Sequence, residues 1–203
     1  MPAELELVAA EAATCVRCAL AETRTQVVFG VGDPAADLLF VGEGPGAEED
    51  RLGEPFVGRS GKLLDQLVLE EMGLTRSQFH ITNVVKCRPP DNRDPKPEEI
   101  EACNPWLERQ LELMEPKVVV TLGNFAMRTL LQTRDGITKV RGRSYPFRGG
   151  HGGLSRAIIP VHTTVDGDGL VAAATGRVEA AVDLVAWMAT LATEQAVRAV
   201  ASV

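Results

Sequence analysis

The chain is short of several things, and each shortage narrows its chemistry. It has three histidines in 203 residues, His80, His151 and His162, which argues against a multi-histidine metal centre. No apolar run reaches the ~18 residues that a membrane span requires. The first ten residues, MPAELELVAA, hold two Glu and no Lys or Arg, unlike a secretory signal. Positive charge is in deficit: 21 Lys and Arg face 28 Asp and Glu, for a net charge of −7. A whole-molecule basic field for gripping nucleic acid is therefore absent, and such contact needs a local basic face. Neither internal repeats nor an interdomain linker is visible, so one domain over residues 1–203 is expected. With 45% hydrophobic and 24% charged residues the composition is ordinarily globular, and a soluble, cytoplasmic monomer is expected.

What is present alternates between compact apolar runs and helix-like ones. Asp37–Glu43, Phe79–Lys86, Lys117–Gly123 and Ala157–His162 read as buried strands, and Arg141–Phe147 as an edge strand. Between them, Gly61–Met72 and Glu98–Met114 carry apolar residues at helical spacing. Gly73 suits a C-cap, and Asn124 is expected to cap a helix running to Leu131. An acidic helix from Ala3 to about Cys15 opens the chain, and Val171–Val200 is Ala-rich and helical in pattern. The expected fold class is α/β: three layers, α/β/α, around a central, mainly parallel four-stranded sheet.

Four cysteines stand beside polar or proline-rich breaks: Cys15 and Cys18 in a C-x-x-C, then Cys87 and Cys103. Such a set holds tetrahedral zinc or an iron–sulfur cluster, or supplies small buried apolar residues. The loop after the first strand reads GEGPGAEED (Gly42–Asp50). It sits at a strand's carboxyl end, where open α/β sheets bind ligands. No Gly-Lys-Ser/Thr follows it, and its acids would repel phosphate, which argues against a nucleotide cofactor. Phe56 lies in a glycine-rimmed loop, as a core residue or as a platform for a planar ring. Asn83, inside the second strand, carries a carboxamide that must find partners and that suits the edge of a base.

Eight pieces in order carry a resemblance: CVRC (Cys15–Cys18), VVFGVGDP (Val27–Pro34), VGEGPGAEED (Val41–Asp50), EPFVGRSG (Glu54–Gly61), ITNVVKCRPPDNRDP (Ile81–Pro95), Cys103, VVTLG (Val119–Gly123) and ITKVRG (Ile137–Gly142). Together they resemble the family four uracil-DNA glycosylases, the iron–sulfur branch of the uracil-DNA glycosylase superfamily. The resemblance implies hydrolysis of the N-glycosidic bond of uracil in single- or double-stranded DNA, releasing free uracil and leaving an abasic site. It implies a [4Fe-4S] cluster on Cys15, Cys18, Cys87 and Cys103. Glu43 and Gly44 would belong to the first catalytic motif, Phe56 would stack on the extruded base, Asn83 would read its polar edge, and His162 would contact uracil from the last motif. Glu43 and His162 would be the catalytic pair, one facing the sugar's positive charge and one the uracil anion. Glu49 and Asn92 are lesser candidates for placing the water.

The chain also departs from that family. After His162 it reads TTVDGDGLVAAA, where the family has a proline and a neutral or basic loop. Asp166 and Asp168 beside phosphates would repel by ~1 kcal/mol each, while Leu170 would remain as a wedge. The alternative is therefore an iron–sulfur DNA-binding protein with weakened or lost glycosylase activity; a redox module rests on the cysteines alone. A sister branch traps its product through a histidine in Lys-Arg-Arg-Ile-His. Here Gln132–Gly142 has no histidine, so ordinary turnover is expected. Arg134, Lys139, Arg141, Arg143 and Arg148, together with Arg59 and Lys62, form the expected basic face.

Overall fold

The computed structural model describes residues 2–141, 143, 145–147 and 156–161. Two runs that are apolar at almost every position, LLFVG (β2, Leu38–Gly42) and VVVTL (β4, Val118–Leu122), are buried throughout, because helices cover both of their faces. They pair in parallel with each other. Strand β3 (His80–Asn83) pairs in parallel on the far side of β2, and β6 (Arg156–Val161) in parallel on the far side of β4. These four are the expected parallel core. Two short antiparallel strands extend it, β1 (Val31–Gly32) beside β3 and β5 (Tyr145–Phe147) beside β6, to make six in the order β1-β3-β2-β4-β6-β5. The edge strand at Tyr145 was expected; a two-residue strand such as β1 is too short to show a period in sequence.

The alternation of β2 and β4 sorts the core. Leu38, Phe40, Ile81, Val118 and Val120 meet Val68 of α3 (Arg59–Met72) on one face. Leu39, Val41 and Val119 meet α1 (Pro2–Ala13), α4 (Pro97–Met114) and α5 (Asn124–Leu131) on the other. Three layers result, as expected. Two helices lie outside this scheme: α2 (Ala47–Leu52), directly after the GPG turn, and α6 (Ile137–Val140). Gly73 ends α3 in the left-handed conformation at φ 65, as its place in the sequence implies. Asn124 does not cap α5. It is the first helical residue, after Gly123, and its Oδ1 accepts the Ile137 N–H at 2.9 Å. The Ala-rich stretch from Val171 onward lies outside the described residues.

Neighbouring β2 and β4 send the chain to opposite faces, β2 toward α3 and β4 toward α5. That reversal opens a crevice at their carboxyl ends. Short polar latches hold the loops around it. Asp50 of α2 is buried, and its carboxylate accepts the Thr25 N–H at 2.9 and 3.0 Å. Arg93 and Glu99 pair at 2.6 Å, tying the proline-rich loop to the start of α4. No helix among the described residues is long and apolar enough to cross a membrane.

Removing the buried Asp50 carboxylate leaves the Thr25 N–H without its acceptor. Asp50→Ala is expected to destabilise the protein by about 1–3 kcal/mol, read as a lower denaturant midpoint at unchanged slope.

Candidate active site and cysteine centre

In the parallel pairing of β2 and β3, Gly42 lies opposite Asn83. The two chains stay together beyond the strands, with Val84 N–H donating to Gly42 O at 2.9 Å and Val85 N–H to Glu43 O at 3.0 Å. Asn83 is 1% exposed, yet neither its Nδ2 nor its Oδ1 has a hydrogen-bond partner. Buried carboxamides are almost always bonded, so one with both ends open is a candidate contact for a ligand. Gly42 explains the space in front of it. A Cβ there would stand 2.5 Å from Asn83 Oδ1, 2.6 Å from Phe56 Cζ and 2.7 Å from Phe56 Cε2. Ring and carboxamide therefore meet over Gly42, which has no side chain.

Phe56 is carried by a turn in an unfavourable conformation. Its φ is 55, the left-handed region, which costs a residue other than glycine about 1–3 kcal/mol. Neighbours on both sides hold it there. Arg76, from a short 3-10 turn at Arg76–Gln78, donates through Nη1 to Phe56 O at 3.2 Å and through Nη2 to Pro55 O. Glu49 Oε1 accepts the Val57 and Gly58 N–H groups at 3.1 and 2.9 Å, and its Oε2 accepts that of Gly46 at 3.1 Å. Gly61 gives the turn room: a Cβ there would fall 1.7 Å from Phe56 O.

The acids of the GPG loop each have a partner. Glu49 binds backbone amides, Asp50 holds Thr25, and Glu48 pairs with Arg51 at 2.7 Å. Glu49 is spent as a latch, which removes it as a water-placing group. Asn92 is exposed and its Oδ1 accepts Arg88 Nε at 2.8 Å. Glu43 remains. It is half-buried, and burial, reinforced by the charge of Asp94, raises its carboxyl to about 7. Gly44 beside it packs close: a Cβ would come 2.6 Å from Val85 Cγ2. His162 and the loop after it lie outside the described residues.

On the opposite face of the sheet, Cys15, Cys18, Cys87 and Cys103 line one hollow with Arg17, Arg24, Lys86 and Trp106. None is disulfide-bonded. Among the described residues no three metal-ligating side chains are gathered tightly enough for a single ion. The thiols instead ring a space, and three of them already accept N–H donors. Trp106 Nε1 reaches Cys15 Sγ at 3.3 Å, Arg24 Nη1 reaches Cys87 Sγ at 3.5 Å, and Lys86 N reaches Cys103 Sγ at 3.2 Å. Four thiols around a common hollow, with N–H groups on the sulfurs, fit an iron–sulfur cluster. Burial pushes the Cys87 thiol up to about 11 and the Cys103 thiol up as well, so both keep their protons unless a bound cation displaces them.

Sequence reasoning missed what joins the two centres. Lys86 is buried, and its Nζ donates to Thr82 Oγ1 at 2.6 Å, to Asn83 O at 2.8 Å and to Gln110 Oε1. Arg76 was missed too, because its partners lie 20 and 21 residues away and form no sequence pattern.

The match to a family model, the Uracil DNA glycosylase superfamily, covers residues 29–175. Among curated relatives, a Type-4 uracil-DNA glycosylase of Sulfurisphaera tokodaii is 49% identical over 148 residues, 71% of this chain and 67% of that protein. Another, from Archaeoglobus fulgidus, is 48% identical over 70% of this chain and 72% of its own length. A third, from Thermotoga maritima, is 47% identical over 72% and 76%.

The close seat of Gly61 yields a test of the turn. Gly61→Ala forces a methyl into the Phe56 backbone and is expected to cost about 1–3 kcal/mol, seen as a lower melting midpoint.

Proposed function

The chain belongs to the Uracil DNA glycosylase superfamily, and on that premise we propose that it excises uracil from DNA, leaving an abasic site for repair. The observation that carries the reading is the buried, unpartnered carboxamide of Asn83 facing the ring of Phe56 across Gly42. Uracil inside a duplex is out of reach, so the nucleotide must be extruded into the pocket. The Phe56 ring then supports the flat base at little entropic cost. Asn83 Nδ2 donates to O4 and Oδ1 accepts from N3–H. Cytosine offers an amine and a bare nitrogen at those places, leaving buried groups unpaired.

As the N-glycosidic bond breaks, its electron pair goes to uracil N1 and the sugar becomes cationic. A Glu43 carboxylate opposes that charge and takes a proton from the water that adds to the sugar carbon. His162 donates to uracil O2 as the anion forms. A [4Fe-4S] cluster on Cys15, Cys18, Cys87 and Cys103 supplies a covalent cross-link between the amino-terminal segment, the proline-rich loop and α4, and takes no part in these steps. The same reading makes residues 1–203 one domain and the enzyme a cytoplasmic monomer, with free uracil as product. A chain that binds DNA without excision is not favoured, since relatives up to 49% identical carry the glycosylase name.

Two experiments test this. Cluster-loaded protein is incubated with a uracil-containing oligonucleotide, single- or double-stranded, and then with alkali. Strand cleavage is expected; none on either substrate overturns the function. Asn83→Asp is expected to cut uracil release by about 5- to 150-fold, the equivalent of about 1–3 kcal/mol for an unpaired buried group. Equal release refutes its role.

The second is a pH profile. Glu43 must be ionised to act, and its carboxyl titrates at about 7. The single-turnover rate is therefore low below that pH, rises through it and levels off above. Glu43→Gln should be slower by on the order of 10²–10⁴-fold and lack the rise.

A further inference from the structure

The Phe56 turn raises a question that the stacking role alone does not answer. Ring position depends on a left-handed residue, and a residue other than glycine leaves that conformation unless its surroundings hold it. The carbonyls of Pro55 and Phe56 are consecutive, and one guanidinium takes both. Arg76 is itself held: its Nη1 also donates to Asp65 Oδ1 of α3 at 2.7 Å. Its side chain is 26% exposed and that of Asp65 43%, so the pair is partly open to solvent. A planar fork can span two adjacent carbonyls where an ammonium, a point charge, can serve only one well.

We propose that Arg76 is a positioning residue for base recognition: by clamping the Pro55 and Phe56 carbonyls, with Asp65 fixing the clamp, it sets the ring of Phe56 at stacking distance from the base. The proposal rests on the reading of Phe56 as the stacking platform. Arg76 touches no substrate. A competing role, a contact to a DNA phosphate, would act on DNA affinity and not through Phe56.

The test is a double-mutant cycle on the full, cluster-loaded chain, using a uracil oligonucleotide under single-turnover conditions. DNA affinity is measured at several salt concentrations. The proteins are wild type, Arg76→Met, Arg76→Lys, Asp65→Asn, Phe56→Ala and the double variant Phe56→Ala with Arg76→Met. Arg76→Met is expected to slow excision at least about tenfold with DNA affinity and its salt slope unchanged. Arg76→Lys should recover part of that loss, and Asp65→Asn should lose less than Arg76→Met. In the Phe56→Ala background the Arg76→Met effect should vanish, because a clamp has nothing left to position. Losses that multiply in the double variant overturn the proposal, and so does an Arg76→Met enzyme as fast as wild type. A weaker, flatter salt dependence of binding assigns Arg76 to phosphate instead and also overturns it. If Phe56→Ala excises uracil like wild type, the stacking reading itself fails. Should Arg76→Met not fold, as judged by melting and cluster absorbance, the same cycle is run with Asp65→Asn, where non-additivity with Phe56→Ala is again required.

Discussion

The parallel pairing of β2 with β3 is the constraint on which the rest depends. It sets Gly42 level with Asn83, and the missing side chain at Gly42 becomes the floor of a pocket. A one-residue slip would send Asn83 to the opposite face and turn Thr82 toward Phe56. The continuous apolar runs of β2 and β4, buried on both faces, guard against that slip, since their neighbours on each side would lose their partners together.

One strand thereby serves two centres. Asn83 projects toward α3, while Thr82, one residue earlier, projects toward α4 and meets Lys86. The Lys86 ammonium also holds the Asn83 carbonyl, and the Lys86 amide donates to Cys103. Burial lowers the Lys86 ammonium to about 7, against the opposing charge of Cys103. The cysteine centre and the pocket lie on opposite faces of the sheet, yet the five residues from Thr82 to Lys86 connect them.

Much of this was legible in the chain. Buried parallel strands announce themselves as unbroken apolar runs, and β2, β3, β4 and β6 fell within a few residues of where those runs lie. Phe56 and the four cysteines drew attention because glycines, prolines and polar breaks mark their surroundings, and Asn83 because a carboxamide inside an apolar strand needs partners. What could not be read was the use made of charged side chains. The acids of the GPG loop read as a charge that would repel phosphate, and Glu49 as a lesser candidate for placing water, but Glu49 and Asp50 turn inward to backbone amides. Asn124 looked like a helix cap, but a neighbouring loop claimed its oxygen. Such assignments depend on which amides fold into reach, and that is a tertiary fact with no local period. Arg76 and Lys86 escaped for the same reason.

The packing of α1 on α4 has a consequence for synthesis. Leu5, Val8 and Ala12 pack in a cluster with α4, a helix that ends at Met114. At roughly 5–20 residues per second, the ribosome leaves that apolar stripe bare for on the order of ten seconds. During that time Cys15 and Cys18 have emerged while Cys103 has not. The four thiols thus come together only after α4 has been translated.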